Sequence, residues 1–329
     1  MSPSKNKNIS FQLTVALAGV ALFIAKLVAW YITNSDMVFS DALESIVNIL
    51  AAFMGLYSLY LSAKPKDEDH PYGHGKVEFV TSGFEGLLIV FAGIMIAIQA
   101  VNSLMIGHHL NKIDYGIYIV AFTALVNYGL GYLSIKKGEE ENSLVLVASG
   151  KHLQSDTVTT LGVVVGLIVV YFTKIFWLDA VIALSFSIYI VFVGYKIIRK
   201  SLSGIMDEAD PEILEKISTI LENNRKPEWI DFHNTKIQQY GNRLHMDAHL
   251  TLPWYFELRK AHNSMEDLVK QVAKDFDRKI EFNIHMDDCK PFSCEICTLK
   301  NCPVREKPFV KTIEWTTETI PQEQKHQLQ

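Results

Sequence analysis

Residues 78–106 read EFVTSGFEGLLIVFAGIMIAIQAVNSLMI, and Glu78 and Glu85 are the only charged residues among them. A helix of about 20 apolar residues, rising about 1.5 Å per residue, crosses the ~30 Å hydrocarbon core of a bilayer. Five other stretches have the same character: 11–33, 37–63, 114–135, 142–173 and 177–199. They contain no proline and lack the alternation of barrel strands, so we expect six transmembrane helices.

The composition divides the chain into an apolar and a polar part. Of its 329 residues 49% are hydrophobic, yet 20% are charged, which a uniform membrane bundle would not contain. We expect a transmembrane domain over 1–206, a cytoplasmic domain over 207–288, a cysteine cluster over 289–302 and a poorly ordered tail over 303–329. The net charge of −5 argues against nucleic-acid binding, because no basic stripe can neutralise phosphates.

The basic residues of the short loops predict the orientation in the membrane. With the N-terminus inside, the cytoplasmic segments contain Lys5, Lys7, Lys64, Lys66, Lys76, Lys136, Lys137, Lys196, Arg199 and Lys200. The three opposite loops contain only Lys112 and Lys174. This asymmetry predicts that both termini are cytoplasmic. The first span, Phe11 to Ile32, exceeds the core of a cleaved signal peptide, and we expect it to be retained.

The polar part alternates between helical and strand periodicity. Helices are predicted over Pro211–Asn224 and Tyr255–Phe276, and strands over 229–239, 244–252 and 279–285, with a hairpin turn at Gly241-Asn242. The order αββαβ predicts a small α+β sandwich of ferredoxin-like type. The fold class is therefore a six-helix transmembrane bundle plus a cytoplasmic α+β domain.

Two pairs of polar residues lie inside predicted spans. Glu44 and Asn48 are four residues apart in the second span, as are His152 and Asp156 in the fifth. That spacing places each pair on one helix face, about one turn apart. Together they offer two carboxylates, an imidazole and an amide oxygen, a four-ligand set for zinc or a similar ion. The alternative is that these groups make polar contacts between helices.

Four other ionisable residues lie at membrane depth. Asp41, one turn before Glu44, either supports the metal site from outside or makes a structural hydrogen bond. Lys26 and Glu85 are expected to face a water-filled cavity or to pair with a neighbour. Asp179 opens the sixth span at the membrane interface, where a carboxylate is expected to stabilise the N-terminus of the helix.

Three segments together resemble the signatures of the cation diffusion facilitator family. They are SDALESIVN at 40–48, HPYGHGK at 70–76 and HLQSD at 152–156. The resemblance covers about residues 10–288 and implies a homodimeric metal exporter that works by proton-coupled alternating access. It also implies an intramembrane transport site at the matching positions, Glu44, Asn48, His152 and Asp156.

The second-span pair departs from the family, which usually has Asp or His followed by Asp. Asn48 contributes only a neutral carbonyl oxygen, and Glu44 reaches one methylene further. A shell of one nitrogen and three oxygens is harder than a histidine-rich one. Zinc stays the first candidate substrate, with manganese, iron(II), cobalt or cadmium as alternatives.

The resemblance implies further metal sites outside the spans. Asp67, His70 and His74 match an accessory site at the cytoplasmic surface, although their residue types alone are equally typical of a solvated loop. Metal-binding positions between two cytoplasmic domains match His233, His249, His262, His285 and Asp287. Lys76 and Asp207 match a charge pair that connects the two domains. His245 shares a strand face with His249 but has no family counterpart.

The cysteine cluster reads Cys289-x4-Cys294-x2-Cys297-x4-Cys302. Disulfides are disfavoured because the predicted compartment is reducing. The spacing favours a structural or regulatory zinc, or less often an iron–sulfur cluster, over four unliganded thiols.

The sequence therefore predicts a multi-pass protein of a bacterial inner membrane that exports a divalent metal, with metal ions, protons and lipid as partners. A membrane-anchored metal sensor that does not transport is the main rival. An enzyme is disfavoured because the spans contain no His-Glu-x-x-His motif, and the chain contains no Gly-Lys-Ser/Thr nucleotide loop.

Overall fold

A computed structural model describes residues 3–62, 64–106, 112–140, 144–240, 243–276 and 279–328. Within these ranges the description excludes the side chains at 3–13, 16, 51–52, 55–56, 59, 138, 144–149, 151–152 and 155. The chain divides into two compact units, which are described separately. One comprises Met1–Tyr57 and Thr81–Lys200, and the other Ser58–Val80 and Ser201–Gln329.

Six long helices come first in the described part of the chain: α1 Pro3–Thr33, α2 Asp36–Ser62, α3 Val77–Ile106, α4 Ile113–Glu140, α5 Leu144–Thr173 and α6 Trp177–Ile205. Four described segments are long and apolar enough to cross a membrane: Val77–Ile106, Ile113–Lys137, Asp156–Thr173 and Trp177–Ile205. In α1 the apolar described segment is the shorter Leu17–Thr33. The predicted helical transmembrane domain is confirmed.

Glycines allow helices to pack closely inside the first unit. A Cβ on Gly131 of α4 would lie 2.9 Å from the Gly150 carbonyl oxygen of α5, and one on Gly150 would lie 2.6 Å from that of Gly131. Gly86 of α3 and Gly194 of α6 face each other in the same way. Such small residues let helix backbones approach where no hydrophobic effect drives association.

The second unit has the predicted αββαβ order. It contains α7 Pro211–Asn223, β1 Asp231–Tyr240, β2 Arg243–Leu252, α8 Leu258–Asp275 and β3 Lys279–Asp288. The central strand β2 pairs antiparallel with β1 and parallel with β3. Apolar residues of both helices and of the sheet form one core, in which Ile217, Phe232, Met246 and Leu268 are fully buried. The predicted Gly241-Asn242 turn lies outside the described residues.

In the second unit, two predicted boundaries differ from the observed ones by three residues. Helix α8 begins after Glu257 rather than at Tyr255, because the chain first turns at Pro253, whose carbonyl accepts a hydrogen bond from the amide of Phe256 at 3.0 Å. Strand β3 continues three residues past His285, to Asp288.

The prediction of a poorly ordered tail is corrected by the structure. Trp315 and Ile320, 2% and 0% exposed, complete the core of the second unit. A bulge in β1 turns the amides of Asn234 and Thr235 to the tail, where they donate to the carbonyls of Gln322 (2.7 Å) and Ile320 (2.9 Å). The sequence did not predict this order, because the few anchoring residues lie in a tail whose composition is mostly polar.

The loop between α2 and α3 belongs to the second unit. Lys66 forms an ion pair with Glu281 of β3 at 2.7 Å, and Tyr72 stacks on Tyr240 of β1 with ring centroids 5.6 Å apart. The compact unit therefore includes this loop, although the loop precedes residue 206 in the chain.

Candidate metal sites

The intramembrane candidate site lies between α2 and α5. Asn48 donates a hydrogen bond from Nδ2 to Oδ2 of Asp156 at 3.1 Å. Glu44 lies one turn earlier on α2, and its carboxylate interacts with the charge of Asp156. The backbone of His152 is helical one turn before Asp156, but its side chain lies outside the described residues. Three of the four predicted side chains are therefore brought together.

Asp41 is held in a buried network beside this site. Its Oδ1 accepts from Nζ of Lys26 at 3.0 Å and from Oγ1 of Thr160 at 2.7 Å. Lys26 also donates to Oγ of Ser45 at 2.9 Å, and both charged residues are 2% exposed. Lys26 therefore pairs with a neighbour, which is one of the two arrangements expected for it. Asp41 makes structural hydrogen bonds, which is one of the two roles expected for it.

Asp179 lies at the predicted start of α6 and also contacts the start of α2. Its Oδ2 accepts from the backbone amide of Asp36 at 2.6 Å. Its Oδ1 accepts from Oγ of Ser35 at 2.6 Å. A carboxylate that accepts from this amide and this hydroxyl suits the N-terminus of α2, the helix that presents Glu44 and Asn48.

The loop between α2 and α3 gathers its three candidate ligands. Asp67 Oδ1 lies 3.0 Å from Nδ1 of His70, and Oδ2 lies 3.3 Å from Nε2 of His74. One ligand atom from each residue falls within 4.8 Å of the others. Desolvation by itself would raise the pKa of the Asp67 carboxyl, but the hydrogen bonds that it accepts from His70 and the charges of His70 and His74 together lower it. The geometry fits one metal ion, and its occupation stays a prediction.

Three histidines form a row across the sheet of the second unit. Strand register pairs His233 with His249 and His249 with His285. His233, His249 and Asp287 bring one ligand atom each within 4.8 Å, and His285 Nε2 lies 3.5 Å from Asp287 Oδ1. Burial lowers the pKa of His233 in spite of its acidic neighbours, which favours the neutral imidazole that metals require.

Sequence reasoning did not identify the neighbouring residues that support this row of histidines. Asp231 Oδ2 lies 3.4 Å from Nδ1 of His233, and Oδ1 lies 2.6 Å from Nδ1 of His326 in the tail. Lys325 Nζ lies 3.8 Å from Asp287 Oδ2. Asp231 could have been found, because it lies two residues before His233 on the same strand face. The tail residues gave no such signal.

The other predicted residues of this unit are placed as follows. His262 is exposed on α8, 3.6 Å from Glu266, and does not join the row within one chain. His245 Nε2 lies 3.6 Å from Asp247. Lys76 and Asp207, both in the second unit, form an ion pair at 2.8 Å.

The four cysteines line a single cavity together with Ile230, Pro253, Ser293, Leu299 and Arg305. All four are free thiols, and Cys297 is 5% exposed. Burial raises the pKa of the Cys289 and Cys297 thiols, the opposite of what activates a reactive cysteine.

Comparison with known proteins agrees with this architecture. Residues 13–206 match the family described as cation efflux transmembrane domain, and residues 209–289 match the cation efflux protein, cytoplasmic domain. The chain belongs to the cation diffusion facilitator family of metal exporters.

Relatives of this cation diffusion facilitator occur in bacteria and plants. It is 30% identical over 257 residues to an uncharacterized transporter of Synechocystis sp., covering 78% of this chain and 83% of that one. It is 25% identical to the manganese efflux system protein MneP of Bacillus subtilis, covering 84% and 94%. It is 26% identical to metal tolerance protein C1 of Arabidopsis thaliana, covering 84% and 62%.

Membership confirms the coarser predictions from sequence. This cation diffusion facilitator is a multi-pass integral membrane transporter of metal cations and not an enzyme. Its second unit contains the cytoplasmic domain of the family.

Proposed function

We propose that the protein exports zinc from the cytoplasm in exchange for protons, and that Glu44, Asn48, His152 and Asp156 bind the ion. The observation that best supports this is the hydrogen bond of 3.1 Å between Asn48 on α2 and Asp156 on α5. It indicates that the two helices turn their predicted ligand faces toward each other.

The donor set suits a dication at membrane depth. Glu44 and Asp156 supply two negative charges that are unfavourable in a bilayer unless neutralised. A divalent ion neutralises both, and the amide oxygen of Asn48 and the imidazole of His152 complete a tetrahedral shell. The charges of the buried Lys26–Asp41 pair offset each other, so the transported ion would interact mainly with the carboxylates of Glu44 and Asp156.

Proton exchange follows from the chemistry of these ligands. A carboxylate must be ionised and an imidazole neutral to bind metal, so metal and protons compete for the same groups. A bundle that alternates between inward-open and outward-open states would release metal on one side and return protons to the other.

Manganese is the second candidate substrate. Three of the four proposed ligands provide oxygen, a ligand atom that suits manganese better than it suits zinc. The relative from Bacillus subtilis is named a manganese efflux protein, and it aligns with 84% of this chain.

We also propose that the protein is a homodimer in a bacterial inner membrane with both termini in the cytoplasm. The basic residues of the predicted cytoplasmic loops support this orientation.

In a dimer, the exposed His262 and His285 would face ligands of a second chain. The loop site of Asp67, His70 and His74 would receive the ion on the cytoplasmic side.

Transport in proteoliposomes tests the proposal. Purified protein is reconstituted with a pH-sensitive dye inside the vesicles, and zinc, manganese, iron(II), cobalt or cadmium is added outside. We expect metal uptake coupled to proton release, fastest with zinc. Metal uptake with no proton movement would contradict the exchange, and metal binding without uptake would indicate the sensor instead.

A further inference from the structure

The segment after β3 surrounds a cavity with sulfur. Cys289 follows the strand directly, and its amide donates to the carbonyl of Leu252 at 2.9 Å. Cys294 lies in the short 3-10 helix Pro291–Glu295, and Cys297 and Cys302 follow it. All four side chains line the same cavity, although they span fourteen residues of a chain with little regular structure.

Hydrogen bonds to one arginine shape the backbone around this cavity. Arg305 donates to the carbonyl oxygens of Cys294 (2.9 Å), Cys297 (3.1 Å) and Leu299 (2.7 Å). These bonds curl the chain around the cavity that the cysteines line. The guanidinium also places a positive charge beside the sulfurs, where it would offset part of the charge of four thiolates.

The apolar packing here is too small to hold the segment by itself. Only Ile230, Ile296 and Cys297 are buried in this cluster, with Leu299, Ile313 and Leu328 packed against it. Small modules of this kind usually need a disulfide or a metal in addition to their core. The cysteines are free thiols in a cytoplasmic domain, where disulfides are rare.

We propose that Cys289, Cys294, Cys297 and Cys302 bind one soft divalent ion, zinc by preference, and that this ion fastens the C-terminal tail to the cytoplasmic domain. Four thiolates make a closed tetrahedral site, which is structural rather than catalytic or transporting. The sulfurs are not among the ligand groups that lie within 4.8 Å of one another, so the thiols rotate inward to reach Zn–S bonds of about 2.3 Å.

The tail gives the site a structural consequence. Ile313 and Leu328 of the tail pack on the same small cluster, and Trp315 lies between them in the chain, in the main core. The cysteine site also shares no residue with the proposed transport site. It would therefore bind its ion whether or not the proposed exchange of metal for protons is correct.

Cobalt binding to the full-length protein in detergent tests the site. Thiolate ligands give cobalt(II) an intense charge-transfer absorption that histidine and carboxylate ligands do not. We expect this absorption at one equivalent of cobalt, its loss on adding zinc, and a large reduction in Cys294→Ser and in Cys297→Ser. Asp287→Ala is the matched control, because it removes a ligand of the histidine row and should leave the absorption unchanged.

Alkylation of the wild-type protein provides a second measurement that needs no variant. Under reducing conditions, zinc should slow the alkylation of the four cysteines by more than about tenfold, because tightly bound zinc occupies the thiolates that would otherwise react. It should also slow proteolytic removal of the tail. Equal alkylation rates with and without zinc, together with no thiolate–cobalt absorption, would overturn the proposal. Iron with acid-labile sulfide in anaerobically purified protein would overturn it as well.

Discussion

The charged residues inside the bundle fall into two groups that differ in their partners. Lys26 and Asp41 neutralise each other at 3.0 Å, Thr160 donates to the same Oδ1 of Asp41, and Lys26 also donates to Ser45. Oδ2 of Asp41 is buried without a hydrogen-bond partner among the described residues. Glu44 has no such basic partner in direct contact among the described residues, and Asp156 accepts a hydrogen bond from a neutral amide. We propose that Glu44 and Asp156 supply the negative charge that attracts a transported ion.

Replacing Lys26 should destabilise the bundle. Lys26→Met leaves Asp41 as an uncompensated buried charge, and breaking such a pair typically destabilises a protein by about 3–5 kcal/mol. We expect a lower melting temperature for the detergent-solubilised protein, with partial recovery in the double variant Lys26→Met/Asp41→Asn. The control Lys136→Met changes an exposed lysine. A single variant that melts with wild type and the control would refute the structural role of the pair.

Asn48 should influence which metal is transported. Asn48→Asp replaces a neutral ligand with a carboxylate, which adds attraction for a tightly bound dication. Because zinc lies above manganese in the order of affinities for a given set of ligands, a stronger ligand should favour zinc more. We therefore expect the ratio of zinc flux to manganese flux in proteoliposomes to rise. Asn48→Leu, which offers no ligand atom, should reduce the flux of both metals. An unchanged ratio in Asn48→Asp would show that Asn48 does not contact the ion.

Among the elements, the position of α5 depends on its contact with α4. Gly131 and Gly150 let the two backbones touch, since a Cβ on either residue would lie within 3.0 Å of the opposite carbonyl oxygen. Asp156 lies less than two turns beyond Gly150 on α5. Any displacement of α5 at this contact therefore moves a proposed ligand.

A pair of glycines on α4 offers a matched test of that contact. Gly131→Val should push α5 away and lower metal flux by more than about tenfold, because misplaced ligands lose their geometry. Gly129→Val adds the same side chain to the same helix, at a position where a Cβ meets no atom within 4 Å. Helix propensity changes equally in both variants. Equal flux in the two variants would contradict the assigned packing.

Trp315 should be the side chain of the C-terminal tail that contributes most to its packing on the core. Trp315 is 2% exposed and packs between Phe232 and the guanidinium of Arg225, 4.1 Å from its ring. Trp315→Ala should destabilise the cytoplasmic domain by about 3–5 kcal/mol and make the tail sensitive to limited proteolysis. Phe309→Ala, at an exposed site of the same tail, is the control. A tail equally resistant in both variants would contradict this role.

At the scale of the whole molecule, sequence periodicity predicted the architecture because each element has one dominant signal. Apolar length indicated the helices of the bundle, and period-two alternation indicated β2. The histidines of the row were implied only by the family resemblance. The tail escaped prediction because Trp315 and Ile320 are isolated among polar residues. The contact of His326 with Asp231 escaped as well, since it joins residues 95 positions apart.

Inside the bundle, helical spacing placed Asn48 and Asp156 on their helix faces, but it could not show that those faces meet. It also left the partner of Lys26 open, because the choice between water and Asp41 depends on how α1, α2 and α5 pack. Residue spacing therefore predicts the ligands within one element, and only tertiary packing decides which elements share a site.

The most direct test of the central claim is zinc flux through Asp156→Ala in proteoliposomes, recorded together with the internal pH. The account predicts that this variant loses both zinc uptake and proton release. Asp114→Asn, which removes an exposed carboxylate at the start of α4, should retain both. Zinc-driven proton exchange at the wild-type rate in Asp156→Ala would contradict the account, because the ion would then cross the membrane without the proposed site.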